Sequence, residues 1–243
     1  MRIIKLNAID STNSYLRRLS NEGGVENYTV VTANYQTQGR GQMGTIWASE
    51  NAKNLIFSVF KRVSWLDKKY PFLISMVASL AVLKALRKLG VPKLSIKWPN
   101  DILSEDKKIC GILIENVIKQ NSLDSTIIGI GLNINQTDFE NLPKASSLKA
   151  VTGRVFNLEE VLHLILDELK NAFEVLKKGR YKALKEEYGN HLFRKDKPSS
   201  FMDSEGCVFT GIIKSVTLRG GLKIQLEDNI VKEFNLKEIS LMY

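Results

Sequence analysis

Two runs dense in Ile and Leu, Ile109 to Val117 and Thr126 to Ile134, constrain this chain more than any other stretch. Strands this apolar belong to a sheet buried on one or both faces. Further strand-like text lies at Arg2 to Ile9, Tyr28 to Ala33, Leu55 to Phe60 and Leu94 to Trp98. Helices are legible between the strands. Asp10-Ser11-Thr12-Asn13 is rich in N-cap residues before Tyr15, Leu16 and Leu19, and Pro71 opens an apolar-periodic helix that stops at Gly90. Asn157 and Glu160 stand in capping-box positions for a helix to about Lys178, whose apolar face predicts core packing, and a shorter helix follows over Tyr181 to His191. After the polar stretch FRKDKPSS, short alternating runs with turns at Gly220-Gly221 and Asp228-Asn229 predict a small antiparallel β domain. Composition agrees with a globular protein of one or two domains: 243 residues, 44% hydrophobic and 25% charged.

Several classes are excluded. The longest apolar run, Phe72 to Leu83, has 12 residues and two serines, short of the roughly 20 that span a bilayer. The first ten residues lack an apolar core with a small-residue cleavage site, so the expectation is a cytoplasmic protein with no membrane anchor. Cys110, Cys207, His163 and His191 form no disulfide or zinc pattern.

The formal charge is +9, and residues 61–120 carry most of it, with twelve Lys/Arg against five Asp/Glu. Solvated helix faces explain part of this excess. Nucleic acid, an anionic substrate or an acidic protein partner are the sharper readings.

Two segments carry chemistry. Gly39-Arg40-Gly41-Gln42-Met43-Gly44 satisfies a GxGxxG pattern, but polar text without helical period follows it, unlike a dinucleotide site. What remains is either an ordinary hairpin or a loop whose glycines let backbone N–H groups near an anion, with the Arg40 guanidinium to fork onto it. Lys97-Trp98-Pro99-Asn100-Asp101 places Asn100 and Asp101 in a fixed turn just past a strand end, and Lys107-Lys108 begins the next apolar strand. An Asp beside lysines suits a nucleotide with Mg²⁺; the bland alternative is a solvated hairpin tip at Ser104 to Lys107. Gly129 and Gly131, in IIGIGLNIN, let a ligand or a neighbouring backbone lie against a buried strand.

Taken together, DSTN at 10–13, Gln36 through Gly44 with Trp47, KWPND at 97–101, KKICGILIE at 107–115 and GIGLNIN at 129–135 resemble the biotin protein ligases over nearly the whole chain. The resemblance implies an α+β fold. Its mixed, mostly antiparallel sheet packs with helices as in class II synthetases and biotin/lipoate ligases, over residues 1–195, and a small SH3-like β-barrel follows over 196–243. It implies biotin contacts at Ser11, Thr12, Asn13, Gln36, Gly39, Arg40, Gly41, Gln42, Trp47, Lys108, Gly111, Gly129 and Gly131. ATP or adenylate contacts fall on Arg40, Gln42, Lys97, Asn100, Asp101, Lys108 and Asn133, with Lys108 and Arg40 as the catalytic pair and Asp101 toward Mg²⁺. The implied reaction activates biotin as biotinyl-5′-AMP and passes it to a lysine of a biotin carboxyl carrier protein. A homodimer is within the family's range. Gln42-Met43 replaces two arginines of some relatives, and Phe139 is the one aromatic available near an adenine. A lipoate ligase is the alternative with the same fold. A DNA-binding regulator is the alternative of another class, disfavoured because the catalytic resemblance begins at Ser11.

Overall fold

The computed structural model describes residues 1–140 and 142–243, apart from the side chains of Met43 and Asp228. Met43, part of the departure at Gln42-Met43, therefore lies outside the described side chains.

The first half of the chain builds most of one sheet. Its elements are β1 (Ile3–Ile9), α1 (Thr12–Glu22), β2 (Val30–Gln36), β3 (Leu55–Arg62), α2 (Phe72–Lys88), β4 (Leu94–Lys97), β5 (Asp101–Ser104), β6 (Lys107–Lys119) and β7 (Ser122–Leu132). Three helices follow, α3 (Leu148–Thr152), α4 (Leu158–Lys177) and α5 (Tyr181–Asn190). Five short strands complete the chain: β8 (Pro198–Asp203), β9 (Val208–Val216), β10 (Leu222–Gln225), β11 (Val231–Phe234) and β12 (Ile239–Met242).

The seven-stranded sheet runs in the order β1-β2-β3-β7-β6-β5-β4. Only β1 and β2 pair parallel; the rest is antiparallel. Its central strands β3 and β7 are buried for almost their whole length, as their apolar text demands. Helices α2 and α4 pack against each other, and α2 covers one face of β4, β5 and β6. The Asn157 side chain caps α4 by accepting from the amides of Glu159 and Glu160. On the opposite face α1 covers only part of β2, β3 and β7, burying Leu16 with Val31, Phe60 and Ile127. The uncovered remainder of that face becomes the site.

The second sheet has the order β11-β10-β9-β8-β12. The sequence predicts a small antiparallel domain here and the family resemblance implies an SH3-like barrel; among the described residues the sheet stays open, with β11 and β12 as separate edges. Its apolar face is already used. Phe201, Ile213, Leu222 and Ile239 turn toward the seven-stranded sheet and line a shared cavity, and the Trp98 indole N–H donates to the Gly220 carbonyl at 2.9 Å.

Candidate active site

At one end of the cavity a chain of neutral hydrogen bonds is buried. Ser11 caps α1, which puts Thr12 and Asn13 in the first turn, where both are buried. Gln36 closes β2 beside them, and its Oε1 accepts from the Thr12 amide at 2.8 Å and from the Thr12 hydroxyl at 3.1 Å. The Ser58 hydroxyl of β3 lies 2.7 Å from Thr12 Oγ1 and 2.6 Å from Asn13 Oδ1. Asn13 Nδ2 donates to Glu115 Oε2 at 3.0 Å. The Asn13 amide is thereby held from both ends. Gly129 has to be glycine for this: a Cβ there would lie 2.4 Å from Asn13 Oδ1.

Next to this network is a flat floor. Gly111 of β6 and Gly131 of β7 face each other across the ladder, and the Trp47 indole rests on them. A Cβ would come within 2.4 Å of Trp47 at Gly131 and 3.1 Å at Gly111. The loop that carries Trp47 is pinned as a hairpin, with the Trp47 amide donating to the Gly39 carbonyl at 3.0 Å and Gly41 to Thr45 at 2.7 Å. Only a single helical turn, Gln42–Gly44, forms in it, which agrees with the absence of a dinucleotide fingerprint. Arg40 reaches from the loop to Ser14 Oγ at 3.0 Å and Glu115 Oε1 at 3.3 Å.

The other end is cationic. Strands β4 and β5 flank the turn Trp98-Pro99-Asn100, and the Asn100 side chain braces that turn by donating to the Ile112 carbonyl at 2.8 Å. Asp101 opens β5, buried, with Oδ1 2.7 Å from Lys108 Nζ and Oδ2 3.7 Å from Lys97 Nζ. Burial pulls the Lys97 pKa below the ordinary lysine value; Lys108 and Lys144 push it the same way, against Asp101. Lys108 faces the cavity because β6 bulges: Ile102 pairs with Cys110 while Leu103 pairs with Lys108, leaving Ile109 as an extra residue. Ile109 and Cys110 both enter the core, and Lys108 lands on the Gly111 face.

Both ends belong to one cavity of about 690 Å³, which Lys144, Phe193 and Tyr243 also line. Four cations, Arg40, Lys97, Lys108 and Lys144, face it against one carboxylate, Asp101, among the described residues. Such a cavity offers neutral hydrogen-bonding groups at one end and cations for an anion at the other.

The comparisons with known proteins agree with this geometry. Residues 6–133 match the model of the biotin/lipoate A/B protein ligase family. The chain belongs to that family. The "Bifunctional ligase/repressor BirA" of Escherichia coli is 30% identical over 97% of this chain and 73% of that protein. A "Biotin--[acetyl-CoA-carboxylase] ligase" of Mycobacterium tuberculosis is 36% identical over 57% of this chain and 51% of that protein. Among solved structures, the "Biotin protein ligase from Aquifex aeolicus in complex with biotin and ATP" superposes with a TM-score of 0.83 at 28% identity, covering 99% of this chain and 98% of that one.

Of the residues that the resemblance to this ligase family singles out, all but Gly39 line the cavity. Gly39 sits behind the loop, where a Cβ would strike the Trp47 carbonyl at 2.2 Å; its part is to let the hairpin close. Asn133 lines the cavity, with its Nδ2 donating to the Ser146 carbonyl at 2.9 Å. The two floor glycines of β7 admit side chains, Asn13 and Trp47, rather than a neighbouring backbone. Ser58, Glu115, Lys144 and Tyr243 escape the sequence reading. For Ser58 a signal existed: a lone hydroxyl inside the apolar strand LIFSVF.

Part of the basic stretch is solvated surface, as the sequence reading allows. Lys84, Lys88 and Lys93 pair with Glu187, Glu168 and Glu105. Lys61, one of the twelve cations of residues 61–120, is instead buried over the rings of Tyr28 at 4.2 Å and Phe173 at 5.4 Å.

Proposed function

We propose that this chain is an ATP-dependent ligase that activates biotin as biotinyl-5′-AMP and transfers it to a lysine of a carboxylase's biotin carrier domain. The observation that carries the reading is the single cavity joining a neutral, hydrogen-bonding glycine floor to a cationic end built around Lys108. The named relatives are biotin ligases, and the Aquifex aeolicus structure holds biotin and ATP.

In the proposed site Ser11, Thr12, Asn13 and Gln36 meet the polar ring of biotin, and Gly111, Gly129 and Gly131 make room for Trp47 and Asn13, with Trp47 walling the ring. The biotin carboxylate and the α-phosphate meet at Lys108. The carboxylate attacks the α-phosphate in line and pyrophosphate leaves, giving the mixed anhydride. Lys108, Arg40 and Lys97 offset the repulsion between the two anions and hold them in attacking geometry, which is worth up to ~7–11 kcal/mol in favourable cases. The acceptor lysine's neutral amine then attacks the acyl carbon, forming the amide and releasing AMP. Gly41 and Gln42, with Arg40, cover the anhydride against water.

Magnesium enters with ATP as part of the substrate. An ion carried by phosphates needs only one or two protein carboxylates, and Asp101, the acid that lines the cationic end, is the one we assign. Residues 1–195 are the proposed biotin and ATP domain, with 196–243 closing its nucleotide end, and a cytoplasmic location is part of the proposal. Among the described residues no helix is long and apolar enough to cross a membrane.

The test supplies MgATP and a biotinyl acceptor domain with either biotin or lipoate. The expected result is covalent labelling of the acceptor by biotin; labelling by lipoate alone overturns the proposal.

A further inference from the structure

The cationic end contains an arrangement that the reaction scheme does not use. Tyr243 follows β12 of the second sheet and lines the cavity. Its ring lies 4.2 Å from Lys144 Nζ and 5.0 Å from Lys97 Nζ, centroid to nitrogen. The Phe193 ring holds it edge-on at 5.2 Å. The two lysines come from unrelated segments, Lys97 from the end of β4 and Lys144 from the loop before α3. Both are tied to the reacting strand: Lys97 through Asp101, which also holds Lys108, and Lys144 through its carbonyl, which accepts from the Lys108 amide at 2.7 Å.

Ammonium groups brought together repel, and a long lysine side chain loses rotamer freedom when fixed. An aromatic face offsets both costs because its negative quadrupole attracts each cation without neutralising it. A carboxylate in the same place would instead compete with an incoming phosphate. The ring also stays uncharged, since burial and the nearby Asp101 and Asp106 raise the Tyr243 phenol pKa.

We infer that Tyr243 is a positioning residue for the nucleotide, with its ring holding the Lys97 and Lys144 ammonium groups where they bind the outer phosphates of ATP and the departing pyrophosphate. This rests on the proposed ATP site. It adds Lys144 to the phosphate-binding residues and makes the second sheet a determinant of nucleotide affinity.

The experiment compares Tyr243→Leu and Tyr243→Phe with the unmodified protein in biotin-dependent ATP–pyrophosphate exchange, alongside calorimetric titration with inorganic tripolyphosphate and a thermal melt. Tyr243→Leu is expected to raise the KM for ATP and for pyrophosphate about five- to tenfold, to weaken tripolyphosphate binding by a similar factor, and to leave the KM for biotin within about twofold. Tyr243→Phe, which keeps the ring, is expected to restore the ATP KM, and Lys144→Ala to raise it as Tyr243→Leu does. An unchanged ATP KM in Tyr243→Leu, an equal rise in the biotin KM, or a Tyr243→Phe as impaired as Tyr243→Leu each overturns the inference. If Tyr243→Leu fails to fold, the Lys144→Ala titration decides alone. Exchange activity in the unmodified protein with no effect of Tyr243→Leu refutes the inference and spares the ligase reading. Ring-dependent tripolyphosphate binding without any biotin-dependent exchange does the reverse.

Discussion

The two ends of the cavity are built on opposite principles. The neutral end is a closed chain of short hydrogen bonds, from Gln36 through Thr12 and Ser58 to Asn13 and Glu115. Each buried bond there contributes about 0.5–1.5 kcal/mol net, and an orphaned partner costs about 1–3 kcal/mol, so the network resists rearrangement and arrives preformed. The cationic end is held by ion pairs of one carboxylate, Asp101, with Lys108 and Lys97, in which the lysine side chains remain 35% and 24% exposed. The carboxylate is buried while the ammonium groups reach the cavity, so each pair sets desolvation against Coulomb attraction and contributes little rigidity compared with the hydrogen-bonded end. A phosphate offers each lysine further charge-assisted bonds of about 1.5–3 kcal/mol, through the ammonium hydrogens that Asp101 does not use. One end selects by fixed shape, and the other waits with cations that the substrate reorganises.

The largest expected effect breaks the cationic end. Lys108→Ala should lower biotin-dependent ATP–pyrophosphate exchange about 10²–10³-fold, the scale of a lost transition-state charge stabiliser, while the fold survives. Exchange at the normal rate would remove Lys108 from the chemistry. Ser58→Ala attacks the neutral end instead. It should raise the KM for biotin about tenfold and lower stability in urea by about 1–3 kcal/mol, with the ATP KM unmoved; an unmoved biotin KM would show that the hydroxyl chain does not shape the ring site. A smaller effect is expected from Asp101→Asn, which removes a counterion and the assigned magnesium contact together: half-saturation by Mg²⁺ should move several-fold upward, and an unaltered titration counts against the metal role. The smallest effect comes from pH. Burial lowers the Lys97 pKa, so its ammonium discharges at a lower pH than that of an exposed lysine, near 10.4. The KM for MgATP should therefore begin to rise at a pH below that value, while the KM for biotin stays flatter, and Lys97→Arg should remove the difference between the two profiles.

Elements with strong periodicity were legible before any coordinates. Strands β3, β6 and β7 and helices α2 and α4 lie close to where apolar spacing puts them. Strand β5, Asp101–Ser104, reads from sequence as turn and hairpin tip because four residues after a proline carry no period, and the five residues of α3 carry none either. Strand order and the parallel pairing of β1 with β2 depend on long-range contacts that no local window contains. The site divides in the same way. The S-T-N turn, the loop and Lys108 announce themselves as motifs, whereas Ser58 looks like an ordinary strand residue until Thr12 and Asn13 are seen against it. The charge excess misleads at Lys61, since net charge is blind to a lysine folded under aromatic rings.

The extra residue in β6 makes the reaction centre depend on a count. Lys108 and Gly111 stand three apart, an odd interval that a regular strand would send to opposite faces, and Ile109 restores them to one. Ile109 itself only fills the core, so another aliphatic residue there is a modest change. A single inserted codon between Lys108 and Ile109 is not: it advances the alternation by one step and turns the ammonium into the sheet's interior. In genetic terms this position is open to missense and closed to insertion.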